Sequence, residues 1–594
     1  MHDGEIVAAA QEERFSRKRH DPRFPKGAIN YCLEEAMLEA RDLDAVVFYD
    51  NPVLTWDRAV KNFLMMGEAS FDQFEKAAPS ILGVKFFVEN YVRRFLGTLG
   101  KSEKLLFSEH HFAHAASAFF PSPFERAAVV TLDGVGEWTT TSIGVGEGRD
   151  LQLFREIHYP HSLGLLYSAL TYYCGFKVNS GEYKLMGLAP YGEPKYYDLI
   201  RKHLIDLRED GSYRLNTEYF GFLDGQRMTN ARFDEVFGGT ARSPESRITR
   251  REMDLAASIQ KVIEEAVVKI ARFARTETAS ENLVLAGGVA LNCVANGKLV
   301  RENIFKNIWI QPASGDAGGA LGAALHVAHG YYDLPRKVKR PDAQKGSLLG
   351  PRYSTQEIFA FLDRHDLPHE KISDVKARAQ KVAAQIAQGK IVGFFSGRME
   401  FGPRALGARS ILGDPRNPQT QSVMNLKIKY RESFRPFAPL VIQEDLEKYF
   451  EIESESPYML LVAPVKKERC LPKPQANEQT SDEDLLKIVN VARSDIPAVT
   501  HVDYSARIQT VGREVHPFLY EVLCAFRALT GCSVLVNTSY NVRGEPIVCS
   551  PQDAYRCFMR SEIDCLMLED FMLDKLQQPK FEESQDWKKD YELD

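Results

Sequence analysis

Residues 110–138, HHFAHAASAFFPSPFERAAVVTLDGVGEW, decide how this chain is read. His110 and His114 are four apart, so both imidazoles fall on one face of a helix. Residues 113–120 supply the helix body, and Pro121 and Pro123 stop it. The run 127–132 has the length and apolar character of a buried strand. It ends in Asp133-Gly134-Val135-Gly136, a carboxylate followed by glycines, where backbone N–H groups approach a ligand without Cβ interference. Two imidazoles and a carboxylate are a common ligand set for a catalytic divalent metal with open positions. Alone, the same residues would serve as solvated helix histidines and a turn aspartate; the rest of the chain favours the ligand set.

At 594 residues the chain is too long for a single core, and two to four domains are expected. Hydrophobic residues make up 44% and charged residues 26%, an ordinary globular composition. A net charge of −6 without a basic tract argues against a nucleic-acid partner. No apolar run approaches a membrane span, and the first residues lack a signal-peptide pattern. Nine scattered cysteines, never spaced C-x-x-C, predict reduced thiols in a cytoplasmic protein.

Asp3-Gly4 is a hairpin-turn signal with only two residues before it, followed by a strand-like run over 5–10. This reading makes the chain start one strand late. Residues 12–25, EERFSRKRHDPRFP, read as a solvated basic turn. A helix over 26–41, a strand over 45–49 and an aromatic-rich helical stretch over 51–100 follow. Residues 139–158 look like a hairpin, and Ser162 is placed to cap a helix over 163–174. NSGEYKLMGLAPYG (179–192) reads as a shaped loop in which Lys184 suits a phosphate. Residues 195–250 look like an irregular lid or peripheral insertion, and 251–275 like a long amphipathic helix.

Residues 283–300 read as strand, double glycine and helix, so Gly287 and Gly288 allow close contact at a helix N-terminus. A second strand over 307–311 leads to ASGDAGGALGAAL, where Asp316 serves either as a helix cap or as an outward carboxylate. The 333–352 stretch has linker composition. It separates two α/β halves, 1–340 and 353–594. After a strand over 391–395, SGRMEFGPRALGARSILGDPR (396–416) sets Arg398, Arg404, Arg409 and Arg416 among glycines and prolines. Lys427, Lys429, Arg431 and Arg435 follow, ending in FRPFAP, which predicts an anion site. A strand over 533–536 delivers Asn537-Thr538-Ser539-Tyr540-Asn541, short hydrogen-bonding groups suited to a small polar ligand.

Together these motifs resemble the bacterial O-carbamoyltransferases of nodulation-factor and antibiotic biosynthesis, typified by the tobramycin and cephamycin carbamoyltransferases. The resemblance is carried in chain order by EERFSRKRHD, HHFAHAAS, LDGVGEW, GEYKLMGLAPYG, GGVALNCVAN, SGDAGGALGAA, GRMEFGPRALGARSIL, FRPFAP and NTSYNVRGEPIV. It implies an α/β protein of two domains. The first would be an actin/Hsp70-like ATPase fold similar to the tRNA threonylcarbamoyladenosine transferase subunit. The second would be similar to the enzyme that makes threonylcarbamoyl-adenylate. Carbamoyl phosphate and ATP, with Mg, would give carbamoyl-adenylate in the second domain. The first would transfer the carbamoyl group to a hydroxyl of a small acceptor, a sugar or a secondary metabolite, releasing AMP.

The resemblance implies His110, His114 and Asp316 as ligands of a divalent metal, usually iron(II) in this family, with Asp133 a fourth ligand or a phosphate-side carboxylate. It implies Gly134, Gly287, Gly288 and Asn292 as nucleotide contacts, joined by Lys184 of the glycine-rich segment. Arg398, Arg404, Arg409, Lys427, Arg435, Asn537, Ser539 and Asn541 would form the carbamoyl phosphate and ATP site, with Arg404, Arg435 and Lys427 carrying the chemistry beside Asp133. No nucleic acid or membrane partner is expected, and there is room for a homodimer. The family's first strand and its His-Asp-Ser-type loop have no counterpart ahead of Asp3-Gly4. Rival readings are a threonylcarbamoyladenosine-type tRNA enzyme and an ATPase or sugar kinase of the same fold; the hydrogenase-maturation enzyme is disfavoured by the absence of C-x-x-C fingers.

Overall fold

In the computed structural model, which describes residues 1–97, 104–225, 227–432, 434–472, 491–581, 587 and 591, strand 126–132 is paired on both sides. Two strands precede it as a parallel pair, β1 (Ala45–Phe48) and β2 (Lys104–Phe107). Then β3 (Arg126–Leu132) pairs antiparallel with β4 (Thr139–Glu147), and β4 with β5 (Asp150–His158). A small hairpin, β6 (Ile205–Leu207) and β7 (Tyr213–Leu215), follows. The other side of β3 takes β8 (Asn282–Ala286) in parallel, and β8 takes β9 (Asn307–Ile310). The sheet order is therefore β5-β4-β3-β8-β9. Central β3 is buried on both faces, which is why its sequence is nearly all apolar; edge β5 alternates and carries charge.

Seven helices matter to the site: α1 (Pro52–Met66), α2 (His110–Phe119), α3 (Leu163–Tyr173), α4 (Glu182–Leu188), α5 (Arg250–Thr278), α6 (Cys293–Arg301) and α7 (Gly319–His326). Helix α2 is buried along almost its whole length. At its C-terminal end Arg336 donates to the oxygens of Phe119 (2.7 Å), Phe120 (3.1 Å) and Ser122 (3.1 Å). Helix α7 lies against α2 so closely that a Cβ on Gly322 would sit 1.8 Å from the Ala113 oxygen. The helix pair is thus built for glycine at that position.

The chain divides into two compact units, Met1–Ala9 with Ile29–Gln344, and Ala10–Ala28 with Lys345–Asp594. The second unit thus takes in Ala10–Ala28 as well as the chain from Lys345 onward. That unit contains a nine-stranded mixed sheet. Its strands are β10 (Glu370–Lys371), β11 (Val392–Phe395), β12 (Arg409–Gly413), β13 (Ala438–Ile442), β14 (Leu461–Pro464), β15 (Ser505–Val511), β16 (Val534–Ser539), β17 (Cys565–Leu568) and β18 (Phe571–Asp574), in the order β10-β18-β17-β11-β12-β16-β13-β15-β14. Buried Phe394, Ile411, Leu440, Leu535 and Leu566 of this sheet share one apolar core with α8 (Pro517–Thr530) and α9 (Pro551–Arg560).

Four local expectations are corrected. Residues 5–10 form no strand: His2 and Glu5 exchange backbone hydrogen bonds across an Asp3-Gly4 turn with positive φ at both residues, and strand pairing stops there. The 179–192 segment is not a loop. Glu182–Leu188 is helical because Leu185, Met186 and Leu188 bury on one side, which outweighs the flanking glycines. The 195–250 segment is not irregular: it contains Ile205–Leu207, Tyr213–Leu215 and the helix Ala231–Phe237, with Leu204, Phe220 and Phe233 buried. The 12–25 segment is not wholly solvated, since Arg14 is buried. No helix among the described residues is long and apolar enough to cross a membrane.

Candidate functional site

The histidine pair meets two carboxylates. Helix α2 begins at His110, whose backbone N–H donates to both oxygens of buried Glu137 (2.9 and 3.1 Å). This anchors the first turn and suits the positive end of the helix. Strand β3 ends at Leu132 and hands Asp133 forward. Because Thr131 pairs with Ala286, the ends of β3 and β8 run side by side, and Asp133 Oδ1 accepts the Gly288 N–H (2.9 Å). Gly287 makes the approach possible: its φ is +90°, and a Cβ there would lie 2.2 Å from the Leu132 oxygen.

Asp133 Oδ2 then lies 3.1 Å from His110 Nε2 and 3.6 Å from His114 Nε2. The two Nε2 atoms are 3.1 Å apart. Asp316 opens a short helical turn ahead of α7, where Gly315 holds the cap position, and its Oδ1 is 3.6 and 3.8 Å from the two imidazoles. Its carboxylate is 63% exposed while the other three groups are buried, so the cluster opens to solvent on the Asp316 side. The four ligand atoms lie within 4.8 Å of one another. Burial opposes charge on His110, yet the hydrogen bond and charge of Asp133, with Asp316 and Asp50, raise its pKa to about 9. Burial also opposes charge on Asp133, but the two histidines hold its pKa well below the usual carboxylate range. Converging imidazole nitrogens and carboxylate oxygens form the donor set of a divalent cation.

Three neighbours escaped the sequence reading. His111 donates or accepts at Nδ1 with Thr131 Oγ1 (2.6 Å), which bonds Ser142 (2.5 Å), so this histidine belongs to the sheet and not to the cluster. The Tyr49 ring is 5.7 Å from that of His110, and burial with the charges of Asp316 and Asp50 raises its phenol pKa. Asp50 is buried and pairs with Lys85 and Thr55. Tyr49 and Asp50 follow the end of a parallel strand, a position that marks sites in α/β sheets and was available from the sequence.

Of the remaining candidates in the first unit, Gly134 borders the cluster, its carbonyl accepting from Ser162 Oγ (2.7 Å). Asn292 caps α6 through Ala295 N–H (3.0 Å) and pairs twice with Gln260, so its side chain is committed to the fold. Lys184 is buried within α4, its ammonium 5.8 Å from the Phe176 ring centre.

In the second unit the expected cations separate into two roles. Arg409 is fully buried in β12, stacks 3.5 Å above the Phe395 ring and donates to the carbonyls of Gly397, Ala408 and Pro351, so it braces the loop. Arg398 likewise donates to the Leu349 and Gly350 carbonyls. Arg416 pairs with Asp414. Arg404 is half-buried in the glycine-rich loop, whose Leu406, Ala408 and Arg409 N–H groups all converge on Glu400 Oε1. Arg435 is largely buried, 3.6 Å from Glu432.

Lys427 faces solvent and pairs with Glu562 (3.1 Å), away from the residues it was expected to join. Lys429 is the lysine that meets Ser539 and Asn541. Its buried ammonium donates to the Ser539 carbonyl (2.8 Å), Ser539 Oγ (3.1 Å), the Asn541 carbonyl (2.8 Å) and Asn541 Oδ1. Burial, then Arg431 and Arg435, lower its pKa well below the ordinary lysine value. Asn537 lies deeper, donating to the Ala405 carbonyl (3.0 Å) and Gln509 (2.9 Å).

With this geometry in hand, comparison with known proteins is specific. Residues 1–325 match the family model described as Carbamoyltransferase N-terminus, and residues 383–575 match Carbamoyltransferase C-terminus. An uncharacterized protein of Synechocystis sp., sll1178, is 56% identical over 100% of this chain and 97% of its own length. Nodulation protein NolNO of Sinorhizobium fredii is 35% identical over 97% of this chain and 78% of its own. The 3'-hydroxymethylcephem-O-carbamoyltransferase of Amycolatopsis lactamdurans is 27% identical over 92% of each. With two family models matched in chain order over most of its length, the chain belongs to the carbamoyltransferase family.

Proposed function

We propose that the protein is an ATP-dependent O-carbamoyltransferase that works through carbamoyl-adenylate and a small hydroxylated acceptor. The observation that carries the transfer step is the convergence of His110, His114, Asp133 and Asp316 within 4.8 Å. These four residues would hold one divalent metal, iron(II) in this reading, which when bound supplies Lewis acidity toward a carbonyl or phosphate oxygen. The protein's own part is positional: Asp133 is held by Gly288, His110 by Glu137, and the exposed side of Asp316 leaves an approach for a ligand. The first unit would have the actin/Hsp70-like fold.

The second unit would make the adenylate. On atom balance, carbamoyl phosphate loses phosphate to water, the resulting carbamate attacks the α-phosphorus of Mg-bound ATP, and pyrophosphate leaves. Lys429, Ser539 and Asn541, with Arg404 and Arg435, would hold the anions, and Lys429 replaces Lys427 in this role. Transfer then joins the acceptor oxygen to the carbamoyl carbon and releases AMP. The kinship with an enzyme named as an O-carbamoyltransferase supports this chemistry. The test is incubation with labelled carbamoyl phosphate, ATP and a panel of sugars, aminoglycosides and hydroxylated natural products, read by mass spectrometry. Label in carbamoyl-adenylate but in no acceptor would remove the transfer reading; no dependence of pyrophosphate release on carbamoyl phosphate would remove the adenylate.

A further inference from the structure

We propose that Arg17 is a positioning residue for the Lys429–Asn541 anion site. The proposal rests on the adenylate-forming reading of that site. After Ala9 the chain leaves the first unit, contributes Ala10–Ala28 to the second, and returns at Ile29. Within this segment a single helical turn, Glu13–Ser16, stops at Arg17, whose φ of 57° and ψ of 19° are left-handed; His20 is left-handed as well (φ 50°). An arginine in that conformation costs roughly 1 kcal/mol, so its surroundings must hold it there.

What holds Arg17 is a fork of bonds to one turn. Nη1 donates to the Ile547 carbonyl (2.7 Å), and Nη2 to the Pro546 carbonyl (2.8 Å) and Glu545 Oε1 (2.9 Å). Nε lies 3.4 Å from Asp553. Arg14, buried in the same segment, donates to the Gly402 carbonyl (2.9 Å) of the arginine-rich loop. The segment therefore binds both loops from which the anion site is drawn.

Glu545 passes the constraint on. It is buried, its Oε2 accepts the Val542 N–H (3.0 Å), and its carbonyl accepts Asn541 Nδ2 (2.6 Å). Asn541 then presents its carbonyl and Oδ1 to the Lys429 ammonium. Arg17 thus sets Glu545, Glu545 sets Asn541, and Asn541 sets two of the acceptors that orient Lys429. The guanidinium is suited to this because its planar fork serves the carboxylate and two carbonyls together; an ammonium at the same position keeps the Glu545 pair and loses that geometry.

The experiment uses the full-length chain, with Arg17→Ala, Arg17→Lys, Glu545→Gln and the Arg17→Ala/Glu545→Gln double variant. Carbamoyl-phosphate-dependent pyrophosphate release gives kcat and the KM for ATP, thermal melting gives the folded fraction, and hydrogen–deuterium exchange follows the 540–548 peptide. The expected result is a kcat at least tenfold lower per folded molecule in Arg17→Ala, a KM for ATP within threefold of the parent, partial recovery in Arg17→Lys, and a double variant no worse than its worse parent. Exchange in 540–548 should accelerate at least tenfold in Arg17→Ala while peptides of the first unit stay unchanged. An unchanged kcat, or a fall that merely follows the folded fraction, overturns the proposal, as does unaltered exchange in 540–548. Should the parent protein release no pyrophosphate, the adenylate reading fails, and the exchange result still decides whether Arg17 holds the turn.

Discussion

His110 Nε2 and His114 Nε2 lie 3.1 Å apart, and both are within 3.6 Å of Asp133 Oδ2. Two imidazole nitrogens aimed at the same carboxylate oxygen make up part of the donor set of one divalent cation. Replacing His114 by Ala should abolish stoichiometric metal binding and carbamoyl transfer, while carbamoyl-phosphate-dependent pyrophosphate release persists within threefold. Elemental analysis after iron loading checks it; full occupancy in the variant would reject the ligand assignment.

Metal removal should expose a pH dependence of known sign. The pKa of His110 is raised from 6.5 to about 9, so its protonated form stabilises the folded metal-free protein fully below about pH 6.5. That contribution disappears as pH climbs through 9. A shift of this size is worth on the order of 3 kcal/mol at most, counted once for the His110–Asp133 pair. Chelator-treated protein should therefore melt lower at pH 9.5 than at pH 7, with a smaller drop in His110→Gln. Identical drops would show that the imidazole does not carry the effect.

Lys429 and Lys427 are two residues apart and should behave oppositely. Lys429→Met removes a buried ammonium that serves Ser539 and Asn541, leaving acceptors unpaired at a cost of about 1–3 kcal/mol in stability. Pyrophosphate release should fall at least a hundredfold. Lys427→Met loses an exposed pair with Glu562 worth about 0–1 kcal/mol, and its rate should stay within twofold. Equal losses in the two variants would contradict the assignment.

Gly322→Ala tests the support of the histidine helix without touching a ligand. The added Cβ would meet the Ala113 oxygen at 1.8 Å, so α7 must move away from α2. Overpacking of this kind costs about 1–3 kcal/mol or more. The variant should melt several degrees lower and bind metal more weakly, as read by calorimetry. Unchanged melting would show that the helix pair yields without loss.

Much of the cluster of His110, His114 and Asp133 was legible in the chain because its elements are local. The spacing of His110 and His114 follows from the helical repeat, and Asp133 from an apolar run that ends in glycine. Helix α4 was misread because the glycines around it signalled a turn, while the burial of Leu185 and Leu188 that favours helix is a tertiary fact. The carbonyl partners of Arg409, at Gly397 and Pro351, were not legible, because they come from loops that the sequence does not order.

The sequence alone determined the alternation of strands and helices, the histidine face, the strand-end aspartate and the two stretches rich in arginine and in small amides. These depend on contacts a few residues long, whose geometry the backbone repeat dictates. Only the tertiary structure decided that Lys429 and not Lys427 meets Asn541, that Asp316 faces the histidines and does not cap its helix, and that Ala10–Ala28 packs within the second unit. Each of these choices depends on which distant segments the sheets bring together. Pairing register and burial across hundreds of residues settle it, and no local repeat encodes either.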